Sequence, residues 1–237
     1  MKPRCRFTLA IALTAFLGAF AAGAELAPAK VRIVTLGDSI TKGVRPGVMT
    51  EETFAARLEA ALRVDGMDAT VINVGIGGER TDQALLRLTK DVLAHKPNVV
   101  TVMYGTNDSY VDKGKDTSRL TVDEYRANLV RLVEALRTAG VSPVLMTEPR
   151  WGKTAGQNGV GEHPNLRLEK YVAACRAVAA EKQTPLVDHF KHWTEAEARG
   201  TDIGGWTTDQ CHPNPAGHRI LAEQMLPAVR AALKAKP

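Results

Sequence analysis

A serine and a histidine near opposite ends of the chain carry its most reactive chemistry. Ser39 stands in Gly37-Asp38-Ser39, and His212 stands in Asp209-Gln-Cys-His212-Pro213. A serine hydroxyl becomes a nucleophile when a neighbouring base takes its proton, and histidine acts as that base when a carboxylate orients its ring. Asp209 and His212 are three residues apart, so one turn can hold the acid against one imidazole nitrogen and leave the other for Ser39. Two further turns could receive the charge that such an attack creates. Gly75-Ile-Gly-Gly78 offers backbone N–H groups, and Gly105-Thr-Asn107-Asp108 offers a side-chain amide. Ester hydrolysis builds negative charge on the carbonyl oxygen, so fixed donors must be aimed at it. Glycine lets the backbone approach closely, and asparagine donates without a charge that would disturb the histidine. Read alone, Gly37-Asp38-Ser39 is better explained as capping chemistry, with Asp38 or Ser39 accepting from a free backbone N–H. The distant Asp209 and His212 favour the nucleophile.

These groups need elements that bring them to one place. Val31–Leu36 is a short apolar run rich in β-branched residues and reads as a first strand. Glu51–Val64 has helical spacing, with Asp65-Gly66 closing it. Ala69–Val74 is a second strand, ahead of the glycine turn and a helix over about Thr81–Ala94. Pro97 marks the next boundary. Asn98–Tyr104 is a third strand, and a long amphipathic helix over about Val122–Thr138 ends at the C-cap glycine Gly140. Pro143–Thr147 is a fourth strand. Residues Glu148–Asn165 form a Gly- and Pro-punctuated loop, long enough to be functional. A helix over about Leu166–Lys182, a brief strand Pro185–Val187, a short helix near Phe190–Arg199, a loop from Gly200 to Pro213 and a final helix over about Pro215–Ala235 complete the chain. Strands that alternate with helices argue for an α/β fold, a parallel sheet covered on both faces. Right-handed crossovers put the carboxyl ends of its strands along one rim, where open α/β sheets bind ligands.

The 237 residues are 44% hydrophobic and 24% charged, enough for one well-buried core, and no repeat or low-complexity segment divides them. Lys2, Arg4 and Arg6 precede an apolar run from Phe7 to Phe20 and then Ala22-Gly-Ala24. This reads as a signal peptide over residues 1–24, with a hydrolase domain over residues 25–237. An uncleaved anchor is disfavoured because the apolar run is short for a span. Cleavage would reduce the net charge from +5 to +2. No basic run with interleaved aromatics remains, so nucleic acid is not expected as a partner. Export would leave Cys175 and Cys211 in an oxidising compartment, free to pair or to stay as buried thiols. No cysteine spacing suggests a zinc site. His189 and His192, one helical turn apart beside Asp188, lack an evident third ligand, so a structural or surface role is favoured.

Four blocks together resemble the GDSL or SGNH hydrolase family, named for its invariant Ser, Gly, Asn and His. Block one looks like Gly37-Asp38-Ser39. Block two is similar to Asn73-Val-Gly-Ile-Gly-Gly78-Glu-Arg-Thr81, block three to Gly105-Thr106-Asn107-Asp108, and the last to Asp209-x-x-His212-Pro213. The likeness spans nearly all of the chain beyond the leader. It implies a three-layer α/β/α sandwich around a five-stranded parallel sheet of flavodoxin-like type. It also implies Ser39 as nucleophile, His212 as base and then acid, Asp209 as the group orienting it, and an oxyanion hole from the N–H groups of Ser39 and Gly78 with the Asn107 amide. The α/β-hydrolase elbow G-x-S-x-G is not satisfied, because Ile40 and Thr41 follow Ser39 without a second glycine. Asp38 and Asp108 are expected to brace the turns, since a further ionised carboxylate beside an oxyanion would oppose the reaction.

The expectation is therefore a secreted or periplasmic serine esterase working through an acyl-enzyme, with no metal or cofactor and no stable membrane span. Its expected substrates are short-chain or O-acetyl esters of carbohydrates. The alternatives are a lysophospholipase- or thioesterase-like acylhydrolase on longer chains, and a non-catalytic carbohydrate-binding relative. Trp151, Trp206, Arg80 and His163 lie in rim loops and are candidates for contact with substrate, Trp206 being three residues before Asp209. The competing role for the tryptophans is as loop anchors.

Overall fold

The structure is a computed structural model that describes Met1 and residues 30–235. Residues 2–24, nearly all of the segment expected to be a signal peptide, lie outside the described residues. Five strands form one parallel sheet: β1 (Val31–Gly37), β2 (Ala69–Asn73), β3 (Val99–Met103), β4 (Ser142–Met146) and β5 (Leu186–Val187). Their spatial order is β2-β1-β3-β4-β5. The chain leaves β1 in one direction to make β2 and returns past it to make β3, so the order reverses between β1 and β3. Loops that follow those strands diverge there and leave a crevice at their carboxyl ends.

Successive side chains of each strand point to opposite faces, and two apolar clusters result. Ile33, Val99 and Val144 pack under α2 (Phe54–Val64), α7 (His189–Ala198) and α8 (Pro215–Lys234), against Phe54, Leu58, Trp193, Leu221 and Met225. Their neighbours Val34, Val100 and Leu145 pack under α3 (Thr81–Arg87), α5 (Val122–Thr138) and α6 (Pro164–Glu181), against Ala84, Leu129, Leu132 and Tyr171. The architecture is the three-layer α/β/α sandwich with a five-stranded sheet that the sequence implied.

One expectation changes in detail, and the alternative left open for the cysteines is decided. The helical spacing over Thr81–Ala94 is not one helix. It is α3, then a wider π-type turn over Leu88–Val92 and a tight 3-10 turn over Leu93–His95. One extra residue per turn there keeps Leu88 and Val92 both buried. The cysteines are free: Cys175 sits in the α5/α6 layer and Cys211 in the α7/α8 layer, with the sheet between them. That separation rules out a bridge in this fold.

Candidate active site

Gly37 ends β1, and the short helix α1 (Ser39–Lys42) begins at once. A Cβ on Gly37 would collide with the Thr41 hydroxyl and lie 2.6 Å from the Met103 carbonyl oxygen, so only glycine permits this tight exit. Asp38 caps the helix: its Oδ1 accepts the Ile40 N–H at 2.8 Å. Asn73, at the end of β2, donates to the Thr41 carbonyl at 2.7 Å and accepts the Gly75 N–H at 2.9 Å. The serine turn and the glycine turn are thereby fastened to each other.

At the far end of the chain, the loop before α8 is closed on itself. Thr208 donates to the His212 carbonyl at 2.8 Å, and Asn214 caps α8 while its amide reaches the Gly205 carbonyl. Gln210, between the acid and the histidine, adopts a left-handed conformation with φ 69°. A non-glycine residue in that region is under strain that the surrounding bonds must offset. The result is that Asp209 faces back on His212. Its Oδ1 accepts the backbone N–H of His212 at 2.8 Å, and Nδ1 of the ring is 2.9 Å from Oδ2. The opposite ring nitrogen, Nε2, is 2.9 Å from Ser39 Oγ. Ser39, His212 and Asp209, 173 residues apart at the extremes, form one continuous chain of hydrogen bonds.

Burial lowers the pKa of His212, and Arg45 lowers it further against the opposing pull of Asp209. A neutral imidazole is the form that can take a proton from Ser39. Burial works to raise Asp209, but hydrogen bonds from the His212 backbone and ring outweigh it and hold the carboxyl below its ordinary value. The acid is thus ionised whenever the histidine needs a partner.

Groups free to donate to a developing oxyanion stand at the neighbouring strand ends. Among the described residues the N–H groups of Ser39 and Gly78 have no hydrogen-bond partner. Gly78 takes φ 77°, the left-handed region that glycine enters without penalty. The turn that carries it is anchored by Glu79, which is 5% exposed, accepts from Arg87 and accepts from the Tyr104 hydroxyl at 2.6 Å. Asn107 lies in α4 (Thr106–Ser109) after β3. Its Oδ1 accepts from Arg119 at 3.0 Å and its Nδ2 donates to Asp38 Oδ2 at 2.7 Å, leaving the second amide hydrogen available. The contact from Arg119 fixes which end of the amide is nitrogen.

Asp38 and Asp108 are wholly buried and brace turns, as expected. Asp108 accepts both the N–H and the hydroxyl of Thr81, which ties α4 to the start of α3. Burial raises Asp38 to about 7 and Asp108 to about 6.

The rim candidates divide. Trp151 stacks on Tyr110, ring centroids 6.3 Å apart, with Arg119 over the other ring. Its loop docks on the catalytic loop through the Gly152 N–H to the Gln210 carbonyl at 2.7 Å. Trp206 packs edge-on against the buried Trp193 at 5.2 Å, which is the anchoring arrangement. Arg80 is engaged by Asp82, and His163 caps α6 while its ring meets the Gly152 carbonyl. Arg150 pairs with Glu197. Asp188 is held by Arg176, and buried His189 bonds Gln224, so neither is turned toward His192 as a ligand set. Among the described residues no cluster of His, Cys, Asp and Glu is placed to hold a metal ion. Sequence reasoning missed Arg45, Arg119, Tyr110 and Glu148. Each meets the site across loops distant in the chain, and only Tyr110, three residues beyond Asn107, stood near a recognised block.

A serine against a histidine against an aspartate, at the switch point of a parallel sheet and beside free N–H donors, is the arrangement of an acyl-transferring serine hydrolase. Residues 35–220 match the GDSL-like Lipase/Acylhydrolase family, and the chain belongs to that family. It is similar to an uncharacterized lipoprotein of Bacillus subtilis, YqeF (29% identical, 81% of this chain and 86% of the relative). It is also similar to an arylesterase of Vibrio mimicus (30% identical, 82% and 86%). Among solved structures, the acetyl xylan esterase AlAXEase superposes with a TM-score of 0.70 at 26% identity, over 84% of this chain and 100% of that one. The protein is a carboxylic ester hydrolase.

Proposed function

We propose that the protein is an exported esterase that removes acetyl or other short acyl groups from carbohydrates through an acyl-enzyme on Ser39. The observation that carries the mechanism is the 2.9 Å contact between Ser39 Oγ and His212 Nε2, with Asp209 on the other ring nitrogen. His212 takes the hydroxyl proton as Ser39 attacks the ester carbonyl, then gives it to the leaving alcohol. Water repeats the sequence on the acyl-enzyme and releases the acid. The N–H groups of Ser39 and Gly78 and the Asn107 amide receive the negative charge on the carbonyl oxygen.

The preference for carbohydrate esters is supported by the likeness to an acetyl xylan esterase and by the half-buried Trp151 and Tyr110 stack, which offers an aromatic surface to a sugar ring. Arg80 and His163, each engaged within its own loop, are assigned to shaping the rim. Trp206 is assigned to anchoring it. Export is supported by the sequence of residues 1–24 and by the lipoprotein relative. No helix among the described residues is long and apolar enough to cross a membrane.

Labelling with a fluorophosphonate, with and without Ser39→Ala, tests the mechanism. The parent should label and the variant should not; equal labelling of both would refute the assignment of Ser39. Acetate release from acetylated xylo-oligosaccharides, set against hydrolysis of long-chain esters, tests the substrate. Faster turnover of the long chains would replace the carbohydrate reading with that of a long-chain acylhydrolase.

A further inference from the structure

Behind Ser39 lies an acid that the reaction as derived does not use. Glu148, two residues beyond the end of β4, is completely buried. Neither of its carboxyl oxygens receives an N–H or a hydroxyl among the described residues. It lies against Gly105, where an added Cβ would be 3.6 Å from Glu148 Cγ and 3.5 Å from the Tyr125 hydroxyl. The group within its hydrogen-bonding reach is the carboxyl of Asp38, also completely buried.

Two ionised carboxylates cannot occupy this space together. Each would lose its hydration, a penalty of several kcal/mol per ion, and each would repel the other. Two carboxylates also have no hydrogen to share. A single proton removes both difficulties, because a carboxylic acid donates through its O–H to a carboxylate. The surroundings decide which acid keeps it. Asp38 has two donors aimed at it, the Ile40 N–H at 2.8 Å and Asn107 Nδ2 at 2.7 Å, and these favour its anion. Glu148 has none.

We propose that Glu148 is held as a neutral acid donating its O–H to Asp38, and that this shared proton makes Glu148 a positioning residue for the Asn107 amide. The chain of contacts runs from Glu148 to Asp38 and from Asp38 to Asn107 Nδ2, whose second hydrogen points at the developing oxyanion. The last link rests on the esterase mechanism proposed above. Loss of the proton would place a second negative charge behind Asp38 with nothing beside it to neutralise the pair. The titratable groups that face the two carboxyls are Asp108 of α4, Tyr104 after β3, Tyr125 of α5, Cys175 of α6 and Cys211 of the catalytic loop. Each is neutral or acidic. The cations that act on these groups are already engaged: Arg176 by Asp188, Arg45 by Asp209, and Arg119 by Asp112 and the Asn107 carbonyl. Burial raises Glu148 well above its ordinary value, and the charges of Asp38 and Asp108 add to the effect.

The experiment compares the parent with Glu148→Gln, which keeps a donor for Asp38, and Glu148→Leu, which does not. An infrared difference spectrum of parent minus Glu148→Gln at pH 8 should show the C=O stretch of an un-ionised carboxylic acid. Absence of that band would overturn the shared proton. In steady-state kinetics at pH 7, Glu148→Gln should keep kcat within about threefold, whereas Glu148→Leu should lose about tenfold or more with KM little changed. The alkaline limb of kcat should flatten in Glu148→Gln, which has no proton to lose. Equal losses in the two variants, or an alkaline limb unchanged by Glu148→Gln, would overturn the positioning role. A parent that shows the acid band and turns over no ester would uphold the shared proton while refuting the esterase mechanism.

Discussion

Oδ2 of Asp209 is shared: it accepts from His212 Nδ1 at 2.9 Å and from the Arg45 guanidinium at 2.7 Å. The cation therefore draws on the same oxygen that would stabilise a protonated imidazole. Both side chains are partly exposed, Arg45 at 27% and Asp209 at 39%. An ion pair of that kind contributes under about 1 kcal/mol to stability, so its main effect falls on the titration of His212.

Replacing Arg45 by Met removes a positive charge that holds the pKa of His212 down. The pKa should rise, and since only neutral His212 can take the serine proton, the acid limb of kcat/KM should move to higher pH. Unfolding by urea should be almost unchanged. A pH profile that superposes on the parent's would show that Arg45 does not act on His212.

Asn107 is held at both ends of its amide, by Arg119 at Oδ1 and by Asp38 at Nδ2. Asn107→Ala should lower kcat by about 10²–10³, the usual loss for one oxyanion donor. Asn107→Asp should be at least as damaging, because it sets a second carboxylate against Asp38 and offers the oxyanion no donor. Arg119→Ala should give a smaller loss, confined to kcat, since it frees the amide to rotate without removing it. Single-turnover measurements on a model acetate ester separate these from changes in binding.

The chemistry of the site was legible where it depended on short spacings. Asp209 and His212 fit one turn, Gly37 and Ser39 fit a strand exit, and the near-continuous apolar runs of β1 and β3, in strands that alternate with helices, pointed to a sheet buried on both faces. Arg45, Arg119 and Glu148 carried no such signal, because their roles arise from meetings between loops 164, 12 and 110 residues apart. The break in the helix after Arg87 was hidden for a different reason. A π-type turn preserves the burial of Leu88 and Val92, so the apolar spacing that marks a helix continues through it. The tryptophans looked alike in sequence, each being an aromatic in a rim loop. Both pack partly against the core, and they differ in their aromatic partners, Trp206 meeting the core residue Trp193 and Trp151 stacking on Tyr110.

The glycines of the second turn should respond unequally to alanine. A Cβ on Gly75 would strike the backbone nitrogen of Lys42, which cannot move without dislodging α1. Gly75→Ala should therefore cost about 3 kcal/mol or more of stability. At Gly78 an added Cβ meets nothing within 4 Å, and only its φ of 77° resists substitution. Gly78→Ala should cost about 1–2 kcal/mol and lower kcat by tilting its N–H. Denaturant midpoints measured beside kcat would expose a reversed order, which would mean that the turn is held differently.

The buried histidines give acid sensitivity a definite sign. His189 is completely buried, with Nδ1 against Gln224 at 2.6 Å, and burial pushes its pKa down to about 4. His218 is depressed to about 4 by the same cause. Between pH 4 and the ordinary value near 6.5, the unfolded chain binds protons that the native chain refuses, so these groups make stability fall as pH falls. Asp108 acts in the opposite sense. Raised to about 6, it keeps a proton in the native state that the unfolded chain has released above 3.8, so its contribution falls as pH rises through that window. The two effects offset each other in the parent. His189→Asn keeps a donor for Gln224 and removes the titration, so the variant is furthest below the parent near neutrality. The gap should narrow by about 1 kcal/mol for each unit of acidification from pH 6.5 to 4. Urea unfolding at intervals across that range measures it, and a gap independent of pH would show that His189 is not a neutral ring buried in the native protein.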